Sequence, residues 1–138
     1  MIIDASNLIV GRLATVAAKK ALLGEDINIV NCENSYVSGE KFFVIEYFKS
    51  KRAQGSIRKG PFFPRMPDRI VKRVIRGMLP RKKPRGREAL GRVKCYIGVP
   101  AEFGGKKFET VKNADISKLP SLRYVQLKRI CKELGVQL

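Results

Sequence analysis

The chain has 138 residues, 44% of them apolar and 30% charged, with a formal charge of +17; it is long enough for one domain with its own core and too apolar for a disordered tail. Histidine is absent, which excludes Ser-His-Asp and Cys-His nucleophile systems and His-bearing zinc sites, while Cys32, Cys95 and Cys131 cannot complete a four-cysteine site. No apolar run approaches the roughly 20 residues that cross a bilayer, and MIIDASNLIVGRLA lacks the layout of a secretory signal, so a cytoplasmic protein with reduced, buried thiols is expected.

MIIDA reads as a short apolar strand, followed by a turn at Ser6 and Asn7 and an amphipathic helix from about Gly11 to Leu23, stopped by Gly24. DINIVNC reads as a second strand, and NSYVSGEK as the turn entering a helix. That helix starts at about Gly39, because Phe42, Phe43, Ile45, Tyr47 and Phe48 are too continuous for strand-like alternation; a strand is the alternative. Residues 53–67, with Gly55, Gly60, Pro61, Pro64 and Pro67, form an extended loop. DRIVKRVIRGML predicts a helix with Ile70, Val71, Val74, Ile75 and Met78 on one side and Arg69, Lys72, Arg73 and Arg76 on the other. In GMLPRKKPRGREAL the prolines and glycines put Arg81, Lys82, Lys83, Arg85 and Arg87 on a turn or loop. GREALGR can make a short helix leading into VKCYIGV, a strand rich in β-branched and aromatic residues. Residues 100–119 are mostly loop. RYVQLKRICKELG predicts a final helix with Leu127, Ile130, Cys131 and Leu134 on one face and Gly135 as its stop. Strands alternating with helices imply an α/β arrangement with a mainly parallel sheet, in one globule over residues 1–138.

The charge is unevenly placed. Of the 29 Lys and Arg, 17 lie between Lys49 and Lys94, accompanied there only by Asp68 and Glu88. Such an excess calls for a partner of dense negative charge, a nucleic acid or an anionic membrane surface. Within the basic helix Arg69 and Arg73, and Lys72 and Arg76, are like charges at i, i+4, a mildly destabilising arrangement that makes sense against an external anion. Arginine also offers a planar donor fork suited to phosphate. Pro80 and Pro84 restrict the loop that carries Arg81, Lys82 and Lys83, which lowers the cost of ordering it on phosphates. Phe62 and Phe63 have two readings, stacking on unpaired bases or pinning their loop to the core.

Nucleotide motifs fail. DASNLIVGRLA has one glycine where a dinucleotide fingerprint needs three, and NSYVSGEK places Asn34 and Glu40 where a phosphate-binding loop needs glycine and lysine. Asp4, Glu33, Glu40 and Glu46 show no acid-base or metal spacing, so surface charge or helix capping is their default role.

DASNLIVGRLATVAAKKALLGE, NIVNCENSYVSGEK, GPFFPRMPDRI and above all RGMLPRKKPRGREAL followed by VKCYIGVP carry a resemblance: the chain is similar to the L-thirteen family of large-subunit ribosomal proteins, in its archaeal form. The archaeal type is expected because the long C-terminal extension of eukaryotic relatives is missing. The resemblance implies a single three-layer α/β domain, its central sheet flanked by helices and elaborated by a basic helix and loop. It also implies a structural and assembly role without catalysis or cofactor, in the cytoplasm, with large-subunit ribosomal RNA and neighbouring large-subunit proteins as partners. Arg76, Gly77, Met78, Leu79 and Pro80 match the family signature. With the RNA-facing region set at about 49–94, the candidate rRNA-binding residues are Lys51, Arg52, Arg58, Lys59, Arg65, Arg69, Lys72, Arg73, Arg76, Arg81, Lys82, Lys83, Arg85, Arg87, Arg92 and Lys94. Neither a membrane nor a small-molecule substrate is expected. A membrane-surface protein anchored by the basic helix, and a nucleotide-dependent or RNA-modifying enzyme, are the readings from other classes.

Overall fold

The apolar start forms strand β1 (Ile2–Asp4), which leads through the Ser6–Asn7 turn into helix α1 (Val10–Leu22) and back to strand β2 (Ile27–Val30). Asp4 holds the turn: its carboxylate accepts from Ser6 N at 2.9 Å and from Asn31 Nδ2 at 3.0 Å. Gly24, with φ of 99°, ends the helix in a conformation that side chains with a Cβ avoid. Strand β3 (Tyr36–Ser38) and helix α2 (Lys41–Ala53) follow, then helix α3 (Pro67–Met78), helix α4 (Pro84–Arg92), strand β4 (Val93–Cys95), strand β5 (Tyr124–Gln126) and helix α5 (Leu127–Glu133). The computed structural model describes all 138 residues.

The expected α/β architecture is present. β1, β2 and β4 make a parallel sheet with β2 in the middle, Ile3 opposite Ile29 and Ile29 opposite Cys95. The crossover from β1 to β2 is α1, as parallel neighbours require. Everything from residue 31 to 92 is inserted between β2 and β4, so the basic region grows out of one crossover of the sheet.

Ile3, Ile27, Ile29 and Val93 of the sheet are buried with Leu13, Ala14, Ala17, Ala18 and Ala21 of α1 and with Ile70, Val71 and Ile75 of α3. Small side chains along α1 let its neighbours approach closely. Burying each of the large aliphatic residues contributes about 1.5–3 kcal/mol.

Five expectations need correction. Tyr36–Ser38 is strand as well as helix-entry turn, and Tyr124–Gln126 is strand and not the first turn of the last helix; the two pair antiparallel, Tyr36 opposite Gln126. α4 begins at Pro84, two residues before the short helix expected from GREALGR, so Arg85 joins Arg87 on a helix, because proline at the first helical position forfeits no hydrogen bond. The loop proper is Leu79 to Lys83. Met78, expected on the apolar side of α3, is exposed. Cys95 is half-buried, unlike the fully buried Cys32 and Cys131.

Residues 100–119 contain only short 3₁₀ turns, as expected of a loop, yet they are tied to the sheet. Asp4 N donates to the Glu109 carbonyl at 3.1 Å and Glu109 N to the Ile2 carbonyl at 2.8 Å.

Candidate nucleic-acid interface

α3 is amphipathic from its sequence upward. Pro67 opens it, Ile70, Val71 and Ile75 are buried against α1, and Arg69, Lys72, Arg73 and Arg76 remain on the open side. Because its apolar face is consumed by the core, this helix has none left for a bilayer, and no helix is long and apolar enough to cross a membrane.

Asp68 is the carboxylate that could have neutralised this helix, and it faces inward. Its Oδ1 is buried without a hydrogen-bond partner, and its charge acts on Cys32 and Cys131. The N-terminal end of α3 offers it a favourable helix dipole. The outward face of the helix is left wholly cationic.

Pro64, Arg69, Lys72, Arg73, Arg76 and Leu90 line a hollow of about 260 Å³. Arg73 and Arg76 also form one wall of a second hollow of about 290 Å³, completed by Gly77, Leu79 and Arg81. The two depressions share a pair of guanidinium groups and make one open groove across α3, the following turn and α4. Arg73 is its hub. Its Nη1 donates to the Phe62 carbonyl at 3.0 Å, and its guanidinium lies over the Phe63 ring with 4.5 Å to the centroid. Partial burial, then the proximity of Arg76 and Arg81, hold its pKa below the ordinary arginine value. A phosphate placed there would relieve that repulsion.

The turn carrying Arg81, Lys82 and Lys83 is anchored at both ends. Leu79 is buried, Lys83 N donates to the Pro80 carbonyl at 2.9 Å, and Gly86 N donates to the Lys83 carbonyl at 3.1 Å. Gly86 is buried against that turn; a Cβ at this position would overlap the Pro80 carbonyl. The three cations are exposed on a backbone held by packing. Arg85 and Arg87 continue the exposed charge along α4.

The remaining candidates are dispersed. Arg52 lies at the C-terminal end of α2, Arg58 and Lys59 on the tip of a small hairpin closed by Ser56 and Gly60, and Arg65 just before α3, all exposed. Lys51 Nζ sits 5.5 Å from the Tyr47 ring centroid. Lys94 projects from β4. Arg92 is engaged internally, with Nη1 donating to the Ala21 carbonyl at 3.4 Å and Nη2 3.9 Å from Glu88. Of all these cations it alone forms an ion pair; the other two pairs are Lys49 with Glu133 and Arg123 with Glu40.

A second basic patch lies outside 49–94. Lys128, Arg129 and Lys132 of α5 surround a hollow of about 650 Å³ with Asn34, Gln126 and Glu133, the last already paired with Lys49. Its sequence signal was the i, i+1, i+4 spacing of cations on the final helix, diluted there by nearby Glu133.

Of the two phenylalanines, Phe63 packs against the core beside Phe48, whereas Phe62 is exposed. Among the carboxylates, Glu33 accepts from Gly98 N with both oxygens, at 3.2 and 3.1 Å, and Asp4 holds the first turn, so both bind backbone. No group of His, Cys, Asp or Glu side chains could hold a metal ion. Two of the thiols are held in the neutral form: the neighbouring Cys95, then burial, raise Cys32, whose Sγ donates to the Ile29 carbonyl, and burial with the Asp68 charge pushes Cys131 up to about 12.

A family model described as Ribosomal protein L13 matches residues 1–102. The large ribosomal subunit protein uL13 of Methanococcoides burtonii is 45% identical over 134 residues, 97% of this chain and 96% of that protein. Its namesake from Archaeoglobus fulgidus is 45% identical over 135 residues, 97% and 86% of the two chains. That from Methanopyrus kandleri is 46% identical over 139 residues, 99% and 87%.

Proposed function

The chain belongs to the ribosomal protein L13 family, and on that premise we propose that it binds large-subunit ribosomal RNA through the groove of α3, the 79–83 turn and α4, supporting assembly of the subunit. Family membership makes it a ribosomal component and not an enzyme. The observation that carries the RNA reading is the unneutralised cationic face. Arg69, Lys72, Arg73, Arg76 and Arg81 line joined hollows, and the carboxylate nearest to them in sequence points into the core.

The cations act on phosphates, which position a protein on RNA without reading sequence. Selection then comes from the shape of the folded RNA, because a groove fixed by packing matches one spatial arrangement of phosphates. Neighbouring large-subunit proteins complete the environment, and the α5 patch is available for a further strand of RNA. The site of action is the large subunit in the cytoplasm.

The test is affinity for large-subunit rRNA fragments across a salt series, with unrelated RNA of matched length as competitor. Engagement of roughly 6–10 phosphates makes affinity fall by about 10³–10⁵ between 50 and 200 mM salt. Binding to one folded fragment that survives excess competitor is expected. Equal binding to every RNA would reduce the protein to a generic polycation and overturn the specific site.

A further inference from the structure

Phe62 is 70% exposed and Ile57 96% exposed, and both line a cleft of about 230 Å³ between the C-terminal end of α2 and the 55–63 loop. Isolated exposed apolar residues need no explanation, but these two share a cleft whose single charged wall is Arg52. Arg58 and Lys59 stand at the hairpin tip beside Ile57, and Arg65 follows Phe62 by three positions. No Asp or Glu occurs from Tyr47 to Pro67.

The backbone that carries the ring is held in place. Ser56 N donates to the Gly60 carbonyl at 3.2 Å and Gly60 N to the Ser56 carbonyl at 2.8 Å, closing the hairpin. Gly55 and Gly60 approach so closely that a Cβ on Gly55 would overlap the Gly60 carbonyl. Gly60, at φ of 78°, lies against the Phe62 ring, where an added Cβ would come within 3.1 Å of it. Arg73, the hub of the basic groove, holds the Phe62 carbonyl from the other side.

We propose that this cleft receives one unpaired RNA base, stacked on Phe62 and flanked by Ile57, with Arg52, Arg58 and Lys59 on the adjoining phosphates. This deepens the RNA-binding reading and rests on it. An RNA supplies both things the cleft is equipped for, a π-face and phosphate charge, and stacking on an aromatic ring accepts any base. A protein partner would have to bring carboxylates and an apolar knob together in the same place.

The probe is an RNA stem with a single bulged 2-aminopurine, compared with a fully paired stem of equal length. Tighter binding of the bulged stem, by roughly five- to a hundredfold, and quenching of the 2-aminopurine are expected of the unaltered chain. Phe62→Leu should abolish both the preference and the quenching, Phe62→Tyr should keep them, and the salt slope should stay the same because no charge is removed. Thermal melting of each variant reports the fold, which an exposed ring does not determine. Equal binding of the two stems, or a folded Phe62→Leu that still discriminates, would overturn the base site while leaving the groove reading intact. Loss of assembly into the subunit with unchanged RNA binding would make Phe62 a protein contact and overturn it likewise. Failure of the unaltered chain to bind any RNA would overturn the parent reading as well.

Discussion

Replacing Arg81, Lys82 and Lys83 by Gln tests the groove at its most exposed part. None of the three side chains makes an ion pair or a hydrogen bond within the chain, so their removal leaves the fold intact. Each phosphate contact contributes about 0.7–0.9 to the slope of log affinity against log salt, so three lost contacts flatten that slope by roughly 2 to 3 units. The loss of affinity on going from about 50 to 200 mM salt then shrinks by roughly twenty- to fortyfold relative to the unaltered chain. Fluorescence anisotropy with a large-subunit rRNA fragment, repeated at several salt concentrations, measures both quantities. Thermal melting checks the fold in the same samples. A folded variant with the original affinity and slope would remove the turn from the interface and refute the reasoning that exposed, unpaired cations mark phosphate contacts.

Arg73→Ala should weaken RNA binding more than any single change in the 81–83 turn, and Arg73→Lys should not restore it, because lysine lacks the planar fork that spans the Phe62 carbonyl and the Phe63 ring; equal affinity of the lysine variant and the unaltered chain would count against the hub role. Gly86→Ala should destabilise by about 1–3 kcal/mol, since its methyl group would overlap the Pro80 carbonyl, and calorimetry should show a lowered Tm; an unchanged Tm would mean the turn shifts freely. Burial raises the Asp4 pKa, but hydrogen bonds from Ser6 and Asn31 outweigh it and leave the group below its usual value of 3.8. Its contribution to stability is therefore present above that value and lost as pH falls through the folded-state pKa, so urea melts should show a steeper acid loss for the native chain than for Asp4→Asn. Identical pH profiles would show that the turn does not depend on the carboxylate. Cys32 and Cys131 should resist alkylation at pH 8 in the folded chain and react once it is denatured; reaction at the native rate of a free thiol would contradict their burial.

The sequence was most readable where a strong period and a strong charge contrast coincide. In α3 the Ile and Val positions and the Arg and Lys positions separate cleanly at helical spacing, and the structure buries one set and exposes the other. α1 was legible from its helical period, and the parallel strands from the apolar and β-branched runs around them, MIIDA, DINIVNC and VKCYIGV, which are longer than the strands themselves. β3 and β5 were not, because three residues are too few to show alternation and Tyr36 meets Gln126 across most of the chain. The start of α4 is hidden because proline breaks a helix everywhere except in its first turn, and Pro84 occupies that position. Phe62 and Phe63 are identical neighbours with opposite fates, and only the packing of Phe48 and Arg73 decides which turns inward. The inward turn of Asp68 was equally invisible, because nothing in the sequence pattern around it says which way a single carboxylate at the start of a helix will face.

That inward turn makes the chain an uneasy monomer. With Asp68 turned inward, Arg69, Lys72, Arg73 and Arg76 stand as like charges along α3, and none of them forms an ion pair with a carboxylate. Added salt screens such repulsion and also strips phosphates from cations. Ionic strength should therefore raise the melting temperature of the free chain while lowering its affinity for RNA. On the proposed RNA reading, a bound polyanion would stabilise the fold that the isolated chain must hold against its own charge.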